Sequence, residues 1–372
     1  MKIALVTETF LPSTDGVVTR LTKALEYMIG LGHEFIIICP DIEGIEKEYM
    51  GMKVYPMKSI TFFFYPHRAW GIPNIKVKDI LEDFKPDLVH AANPISLASS
   101  GVFYAKKLGI PLICSFHTNT PKYLDHYHFS FFKEHLWSYL RDLHNSAKMN
   151  LVTSQAMYDL LEEKKIENLR VLPKGVDIIN RHPKFYSKEM RDRLTNGEVN
   201  KKLLIFVGRL APEKEIESLK ELMDKKKDIR LAIIGDGPSR EELEDLFKDT
   251  NTVFTGFLKG EELSQAYASA DGFLFPSVSE TLGLVITESM ASHTPVIAAY
   301  SEPTVEQIKD RENGLIYQRN SIESLEACID SLDDKKLYKK LIINGRKYAE
   351  KFSWDNASQA MLDAYKDVLK KK

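Results

Sequence analysis

The sequence predicts two α/β domains, each built on a doubly wound parallel sheet, and three observations carry that prediction. The chain has 372 residues, too many for one ordinary hydrophobic core and suited to two of similar size. Short apolar runs of strand length alternate with longer amphipathic segments along the whole chain, the pattern of βαβ units around parallel sheets. Between Pro173 and Lys201 the periodicity lapses into a stretch crowded with Pro, Gly, Asn and charge, as linkers between compact units do.

In the first half, strands are expected at 2–7, 34–39, 87–91, 111–116, 149–153 and 169–172. Helices are expected at 17–31, 76–84, 96–108, 129–145 and 154–163, where apolar residues recur at steps of three and four. The second half gives strands at 203–207, 229–234, 252–255, 272–275 and 295–298, with helices near 213–223, 239–248, 260–270, 284–292 and 321–332. Two further helices follow, 335–351 and 354–370. The last has Ser353 as a candidate N-cap and is expected to pack back onto the first domain. The expected division is 1–175, a linker 176–200, 201–353, and the returning segment 354–372.

With 51 basic against 53 acidic side chains, and 44% hydrophobic residues, neither disorder nor nucleic-acid binding is implied. Cys39, Cys114 and Cys328 lie far apart and show none of the spacings of zinc or redox dithiol sites, which fits a reducing cytoplasm. The apolar run Ile3–Val6 is broken by Thr7 and Glu8 and is too short for a signal-peptide core. No run approaches the ~20 apolar residues that cross a bilayer, so a peripheral membrane contact is the most that is expected. The lysine runs 225–227 and 370–372 read as solvated ends, with anionic lipid as the alternative.

Ligands of open parallel sheets bind outside the carboxyl ends of the strands, so the residues just after strands come first. After the first strand, Gly16 stands next to a helix start, where it lets a phosphate or acceptor oxygen approach free backbone N–H groups; a plain turn glycine is the other reading. His117 follows the strand 111–116 and is structural unless the second domain supplies the rest of a site. There, Arg209 and Lys214 stand beside a glycine turn before a helix. They are suited to neutralising a diphosphate leaving group, or equally to pairing with carboxylates such as Glu213 or Glu215. Glu280 lies in the loop after the strand 272–275 and Glu288 about one turn into the next helix. Their separation, ~12 Å if the eight steps were helical, is too large for a glycosidase carboxyl pair. It suits two ends of an elongated, hydroxyl-rich ligand such as a nucleotide sugar. Thr281, Leu282, Gly283, Leu284 and Val285 open that helix and offer N–H groups to phosphate, with Gly283 allowing close approach.

These residues, in this order, resemble glycosyltransferase family 4, whose E-x7-E motif matches Glu280 to Glu288. The resemblance runs through Gly16, Gly32-His-Glu34, Pro86–His90, Ser115-Phe-His117, Lys174–Asp177, Gly208-Arg209, Glu213-Lys214, Gly235–Pro238 and Asn313–Leu315. It implies the GT-B fold, two Rossmann-like domains facing across a cleft, with the acceptor on 1–175 and the donor on 201–353. It implies a retaining transfer of a hexosyl group from a nucleotide sugar, UDP-linked in preference to GDP-linked, to a hydroxyl acceptor. In that reaction the leaving phosphate helps deprotonate the acceptor. Arg209 and Lys214 would bind the diphosphate, Glu280 the sugar hydroxyls, Glu288 the ribose and His117 the sugar, with Gly16 meeting the phosphate or sugar. The nucleotide sugar is a substrate, so no cofactor and no metal is implied. Within the family, the segments His117–Tyr127, Phe129–Trp137 and Leu140–His144 look most like sulfoquinovosyl and diacylglycerol glycosyltransferases, which makes a glycerolipid or another cell-envelope precursor the expected acceptor. The helix stripe Phe132, Leu136, Tyr139 and Leu143 reads as core before membrane face, and the string Phe62–Tyr65 near His67 and Arg68 as a lipid or acceptor contact. Two positions depart from the family: Glu302 beside the expected phosphate pocket, and His293 where a glycine is usual. A noncatalytic nucleotide-sugar binder and an epimerase or phosphorylase of the same fold are the alternatives. The oligomeric state is not legible.

Overall fold

Runs such as Ile3–Val6, Phe35–Cys39 and Leu203–Phe206 are fully buried, because each lies inside a parallel sheet covered by helices on both faces. The structure, a computed structural model, describes residues 1–62, 65–126 and 130–370, and the side chains at 62–68 and 125–130 lie outside that description. The contacts divide it into two compact units, Met1–Gly175 with Trp354–Lys372, and Val176–Ser353.

The first unit carries an eight-stranded sheet in the spatial order Leu169–Val171, Met149–Val152, Leu112–Phe116, Leu88–Ala92, Lys2–Thr7, Glu34–Pro40, Met52–Met57, Glu48–Tyr49. All neighbours are parallel except the last pair. One face, with Leu5, Leu88, Ala92 and Ile113, is covered by the helix Gly16–Gly30 and by Met361, Leu362 and Tyr365 of the helix Trp354–Lys370. The other, with Val6, Val89 and Cys114, is covered by the helices Lys76–Phe84 and Leu97–Leu108. A separate antiparallel hairpin pairs Ser59–Phe62 with Tyr65–Gly71.

The second unit has six parallel strands in the order Thr252–Gly256, Ile229–Ile234, Lys202–Val207, Gly272–Phe275, Val296–Ala299, Leu315–Tyr317. Every strand expected from the sequence is present. The unexpected ones lie toward sheet edges or are short: Met52–Met57 contains Pro56 and is only partly buried, and Leu315–Tyr317 has three residues. Neither offers a period to read.

Three expectations are corrected. Residues 176–200 are a packed part of the second unit, with a helix Lys188–Thr195 whose Met190 and Leu194 enter the core; two apolar anchors in eight residues leave little periodicity. The helix expected at 213–223 is two 3-10 turns, Pro212–Lys214 and Ile216–Leu219, before a short helix Lys220–Lys225, because Glu215 takes the left-handed conformation at φ 53°. The helix Lys133–His144 buries Trp137, Leu140 and His144, while Phe132 and Tyr139 of the expected stripe are exposed; the buried face is the adjacent one. The string Phe62–Tyr65 with His67 and Arg68, and the motif positions at 125–130, fall wholly or in their side chains outside the described residues. No helix among the described residues is long and apolar enough to cross a membrane.

His293 follows the helix Leu284–Ala291 and its cap Ser292 with φ 62°. That left-handed position favours glycine, and a residue with a β-carbon costs about 1 kcal/mol there. The family's usual glycine thus has a backbone reason.

Candidate active site

In a doubly wound sheet the strand order reverses at one point, and the loops on either side of it splay apart to leave a ligand crevice. In the second unit the reversal lies between the neighbouring strands Lys202–Val207 and Gly272–Phe275. The loops leaving their carboxyl ends are those of Gly208–Lys214 and Pro276–Gly283. Arg209, Lys214, Glu280 and the 281–285 segment therefore share one sheet edge.

Backbone packing holds the first loop. Leu210 N–H donates to Asp236 O at 2.9 Å, and Ser239 N–H to Leu210 O at 3.0 Å. A β-carbon at Gly235 would collide with the Gly208 carbonyl, and one at Gly237 with that of Leu210, so the motif Gly235-Asp-Gly-Pro238 serves to let two loops touch. Ser277 Oγ donates to Glu213 O at 2.9 Å, tying the second loop to the first. Gly283, at φ 69°, caps the helix Leu284–Ala291, and a β-carbon there would stand 3.0 Å from the Phe275 ring. Gln307 Nε2 bonds to Leu282 O and secures the turn from behind.

The charges are paired inside this frame. Lys214 Nζ forms an ion pair with Glu280 Oε1, with side chains 17% and 21% exposed. Arg209 Nη2 pairs with Glu213, whose side chain is 1% exposed. Glu213, one of the two carboxylates weighed as partners from the sequence, is thus buried rather than on the surface, and it holds the arginine's guanidinium through Nη2. Glu215 is engaged elsewhere, accepting from Arg319 through both oxygens at 3.0 and 2.8 Å. Glu302 heads the one-turn helix Glu302–Val305 after the strand Val296–Ala299.

Glu288 stands apart from the Lys214–Glu280 pair. Tyr267 Oη donates to it at 3.2 Å, and Arg181 Nε lies 3.8 Å away with its Nη1 on Ser264 Oγ at 2.7 Å. Burial raises the Glu288 carboxyl above its ordinary value of 4.5, with Asp177 adding to the effect and Arg181 and Tyr267 opposing it. The folded chain holds this proton more tightly than the unfolded one, so stability falls as pH rises from about 4.5 through the raised value. Glu288→Gln, neutral throughout, is expected to melt above the wild type at pH 8 and level with it at pH 4. Calorimetric melts that coincide at both pH values would contradict this.

In the first unit the order reverses between Lys2–Thr7 and Leu88–Ala92. Asn93, in the left-handed region at φ 56°, accepts from the N–H groups of His117 and Thr118 at 3.2 and 3.0 Å through its side chain. His117 is buried at the end of the strand Leu112–Phe116, its Nε2 2.8 Å from Ser115 Oγ. Burial, then the charge of Arg20, holds it well below its ordinary pKa, so it is neutral. Arg20 is itself buried and pushed down to about 10, with Nη1 donating to Pro173 O at 3.1 Å. The expected free N–H groups beside Gly16 are corrected: Gly16 opens its helix, but the N–H groups of Val17 and Val18 both donate to Asp15 Oδ1 at 2.9 Å. Sequence reasoning missed Arg20, Asn93, Arg181 and Tyr267, because each lies outside the loops scanned or is of a type unremarkable alone.

Two family models match: "Glycosyltransferase Family 4" over residues 14–179 and "Glycosyl transferases group 1" over 188–348. A sulfoquinovosyl transferase of Arabidopsis thaliana is 36% identical over 92% of this chain and 69% of its own length. A GDP-mannose-dependent alpha-mannosyltransferase of Corynebacterium glutamicum is 30% identical over 99% and 89%. Among solved structures, sucrose-phosphate synthase of Thermosynechococcus elongatus superposes with a TM-score of 0.79 at 20% identity, covering 100% of both chains. HepE of Anabaena in complex with UDP-glucose gives 0.79 at 19%, over 99% and 100%. Structural likeness at that identity speaks to the fold, and the sequence matches span nearly the whole chain. The protein belongs to glycosyltransferase family 4 and is a glycosyltransferase of the GT-B fold.

Proposed function

We propose that the protein is a retaining hexosyltransferase that takes its sugar from a nucleotide sugar, a UDP-sugar before a GDP-sugar, and passes it to a hydroxyl of a glycerolipid or related envelope precursor. The observation that carries this reading is the gathering of Arg209, Lys214 and Glu280 at the switch point of the second sheet. Two cations there match a leaving diphosphate, and a carboxylate matches sugar hydroxyls. As the bond from C1 to the phosphate oxygen breaks, Arg209 and Lys214 stabilise the growing charge. The acceptor oxygen bonds to C1 from the same face, and its proton passes to the departing phosphate. His117 contributes a hydrogen bond to the sugar and Glu288 binds the ribose. The named activities of the relatives, on GDP-mannose in one case and as an alpha-monoglucosyldiacylglycerol synthase of Streptococcus pneumoniae at 28% identity in another, support the substrate classes.

Thermal melts with UDP-glucose, GDP-mannose and ADP-glucose test the donor: a ligand at 100 times its Kd stabilises by about 2.7 kcal/mol. Nucleotide release with diacylglycerol vesicles against a soluble sugar then tests the acceptor. No stabilisation by any of the three would sink the donor class. Glu280→Gln is expected to lower turnover and Glu288→Gln chiefly to raise the donor KM, because ribose is remote from the reacting carbon. Poor nucleotide binding by the Glu280 variant alone would reverse the donor's orientation. With positive charge already supplied by two side chains, transfer is expected to persist in excess EDTA and the product to keep the donor's α configuration. NMR of the product's anomeric proton, with and without chelator, checks both. An inverted linkage would refute retention, and chelator-sensitive transfer restored by magnesium or manganese would refute the metal-free step.

A further inference from the structure

The turn after Asp177 carries an arginine inward in the second unit. Asp177 builds that turn: its Oδ1 accepts from the N–H groups of Ile179 and Asn180 at 3.1 and 3.0 Å, and its Oδ2 from Asn180 Nδ2 at 2.6 Å. Arg181 N–H closes it by donating to Asp177 O at 2.9 Å. With the Asp177 carboxylate engaged in its own turn, the Arg181 side chain, 13% exposed, runs to other partners. Its Nη1 donates to Ser264 Oγ at 2.7 Å, and its guanidinium lies over the Tyr267 ring, 5.8 Å from the centroid; both residues belong to the helix Gly260–Ala268. Arg346 fastens the turn from behind. It donates to the carbonyls of Ile178 and Arg181 at 3.2 and 2.8 Å and to that of Ala291 at 2.6 Å, and Ala291 ends the helix Leu284–Ala291 that carries Glu288.

These attachments bring the guanidinium to one oxygen of Glu288. Arg181 Nε is buried, makes no hydrogen bond among the described residues, and lies 3.8 Å from Oε2. Tyr267 Oη donates to that same oxygen at 3.2 Å. Oε1 makes no hydrogen bond among the described residues, on a side chain that is 25% exposed. The carboxylate is therefore divided, with one oxygen held by the protein and the other left to accept. A charge pair at this distance attracts several times more strongly at a half-buried place than in open water. It opposes the burial, and the Asp177 charge, that favour a proton on Glu288.

We propose that Arg181 is a positioning residue for the donor: with Tyr267 it holds Oε2 of Glu288, fixes the rotation of the carboxylate, and leaves Oε1 as the acceptor for a hydroxyl of the bound nucleotide. The role in binding rests on the reading of Glu288 as the ribose contact; the division of the carboxylate does not. A carboxylate held in this way keeps its negative charge and loses little freedom when a hydroxyl arrives. Both properties strengthen the hydrogen bond that the hydroxyl makes.

Two measurements on the full chain test this. The first is the proton affinity of Glu288, read by 13C NMR with glutamate labelled at its side-chain carboxyl carbon and the signal assigned by Glu288→Gln. The groups facing Glu288 are Arg181, Tyr267 and Asp177, with Arg346 at the end of its helix. Arg181→Met changes the first alone, and its Glu288 is expected to bind the proton about ten-fold more tightly than in wild type. The second is the Kd for UDP and for GDP by titration calorimetry. For the nucleotide that binds, Arg181→Met is expected to raise the Kd about five- to ten-fold in the wild-type background and less than about two-fold beside Glu288→Gln, because a residue acting through the carboxylate has little to act on once that charge is gone. Arg181→Gln keeps a donor for Ser264 and drops the charge, and is expected to give the same pattern should Arg181→Met not fold. An unmoved proton affinity, or a rise in Kd equal in both backgrounds as loosened packing would give, overturns the proposal. So does a Kd that rises in Glu288→Gln but not in Arg181→Met. A Kd unmoved by Glu288→Gln alongside the tighter proton would instead overturn the ribose reading and leave the division of the carboxylate standing.

Discussion

Lys214→Ala is expected to lower turnover by about 10² to 10³, the usual consequence of removing one positioned group that stabilises charge in the transition state, while donor binding weakens far less. Lys214 is held by Glu280 on one side and by the 3-10 turn Pro212–Lys214 on the other, so its charge needs little reorganisation as the diphosphate leaves. Arg209→Ala is expected to lose turnover to a similar extent, but with a second effect. It removes an ion-pair partner of Glu213, whose side chain is 1% exposed, and breaking a buried ion pair from one side costs up to about 3–5 kcal/mol. The double variant Arg209→Ala with Glu213→Gln separates the two, since it also removes the buried negative charge and should recover stability without recovering turnover. Steady-state kinetics beside thermal melts read both quantities. Turnover near that of wild type in both single variants would refute the assignment of this pair to the diphosphate.

The candidate site of the second unit could be picked out of the sequence because it sits on a short stretch with its own signature. A strand end, a carboxylate, a glycine and a second carboxylate with seven residues between the two are all visible from Phe275 to Glu288. The pairing of Arg209 with Glu213 was open from sequence alone, since i,i+4 spacing on a loop says nothing about which side faces the core. The first unit was harder. A line of hydrogen bonds joins its residues His90, Ser115, His117 and Tyr365, and only register across two strands and the return of the last helix bring them together. A histidine on an apolar strand, or a tyrosine on an amphipathic helix, carries no local mark of such a partner. Helix faces were hard for a related reason. In Lys133–His144 two neighbouring stripes are both apolar, and the choice between them is made by what packs against the helix.

Glu8 is the clearest case of a residue whose meaning the sequence hid, and it carries a large expected effect on stability. It reads as a polar break at the end of the first strand, yet it is 3% exposed. Its carboxylate accepts from the N–H groups of Ile95, Ser96 and Ala98 through Oε1, at 3.1, 2.7 and 2.9 Å, and of Leu97 through Oε2 at 3.2 Å. These are amides at the start of the helix Leu97–Leu108, where the helix dipole favours a negative charge. The first unit thus fills the helix end at its own switch point with an internal anion, and the side chain spans 87 to 90 residues of sequence to do so. Glu8→Ala would leave several amides unpaired in a buried place. With about 1–3 kcal/mol for each group left unsatisfied, and some relief from rearrangement, a loss on the order of 4 kcal/mol is expected, a large part of a typical domain's 5–15 kcal/mol. Glu8→Gln keeps one acceptor oxygen but gives up the charge and should lose less. The chain's three tryptophans, Trp70, Trp137 and Trp354, all belong to the first unit, so tryptophan fluorescence during urea unfolding follows that unit and avoids a two-state treatment of the whole chain. An unfolding midpoint in Glu8→Ala that coincides with wild type would show that water or a neighbouring side chain can replace the carboxylate at no cost, and the internal cap would then not be what holds this helix in place.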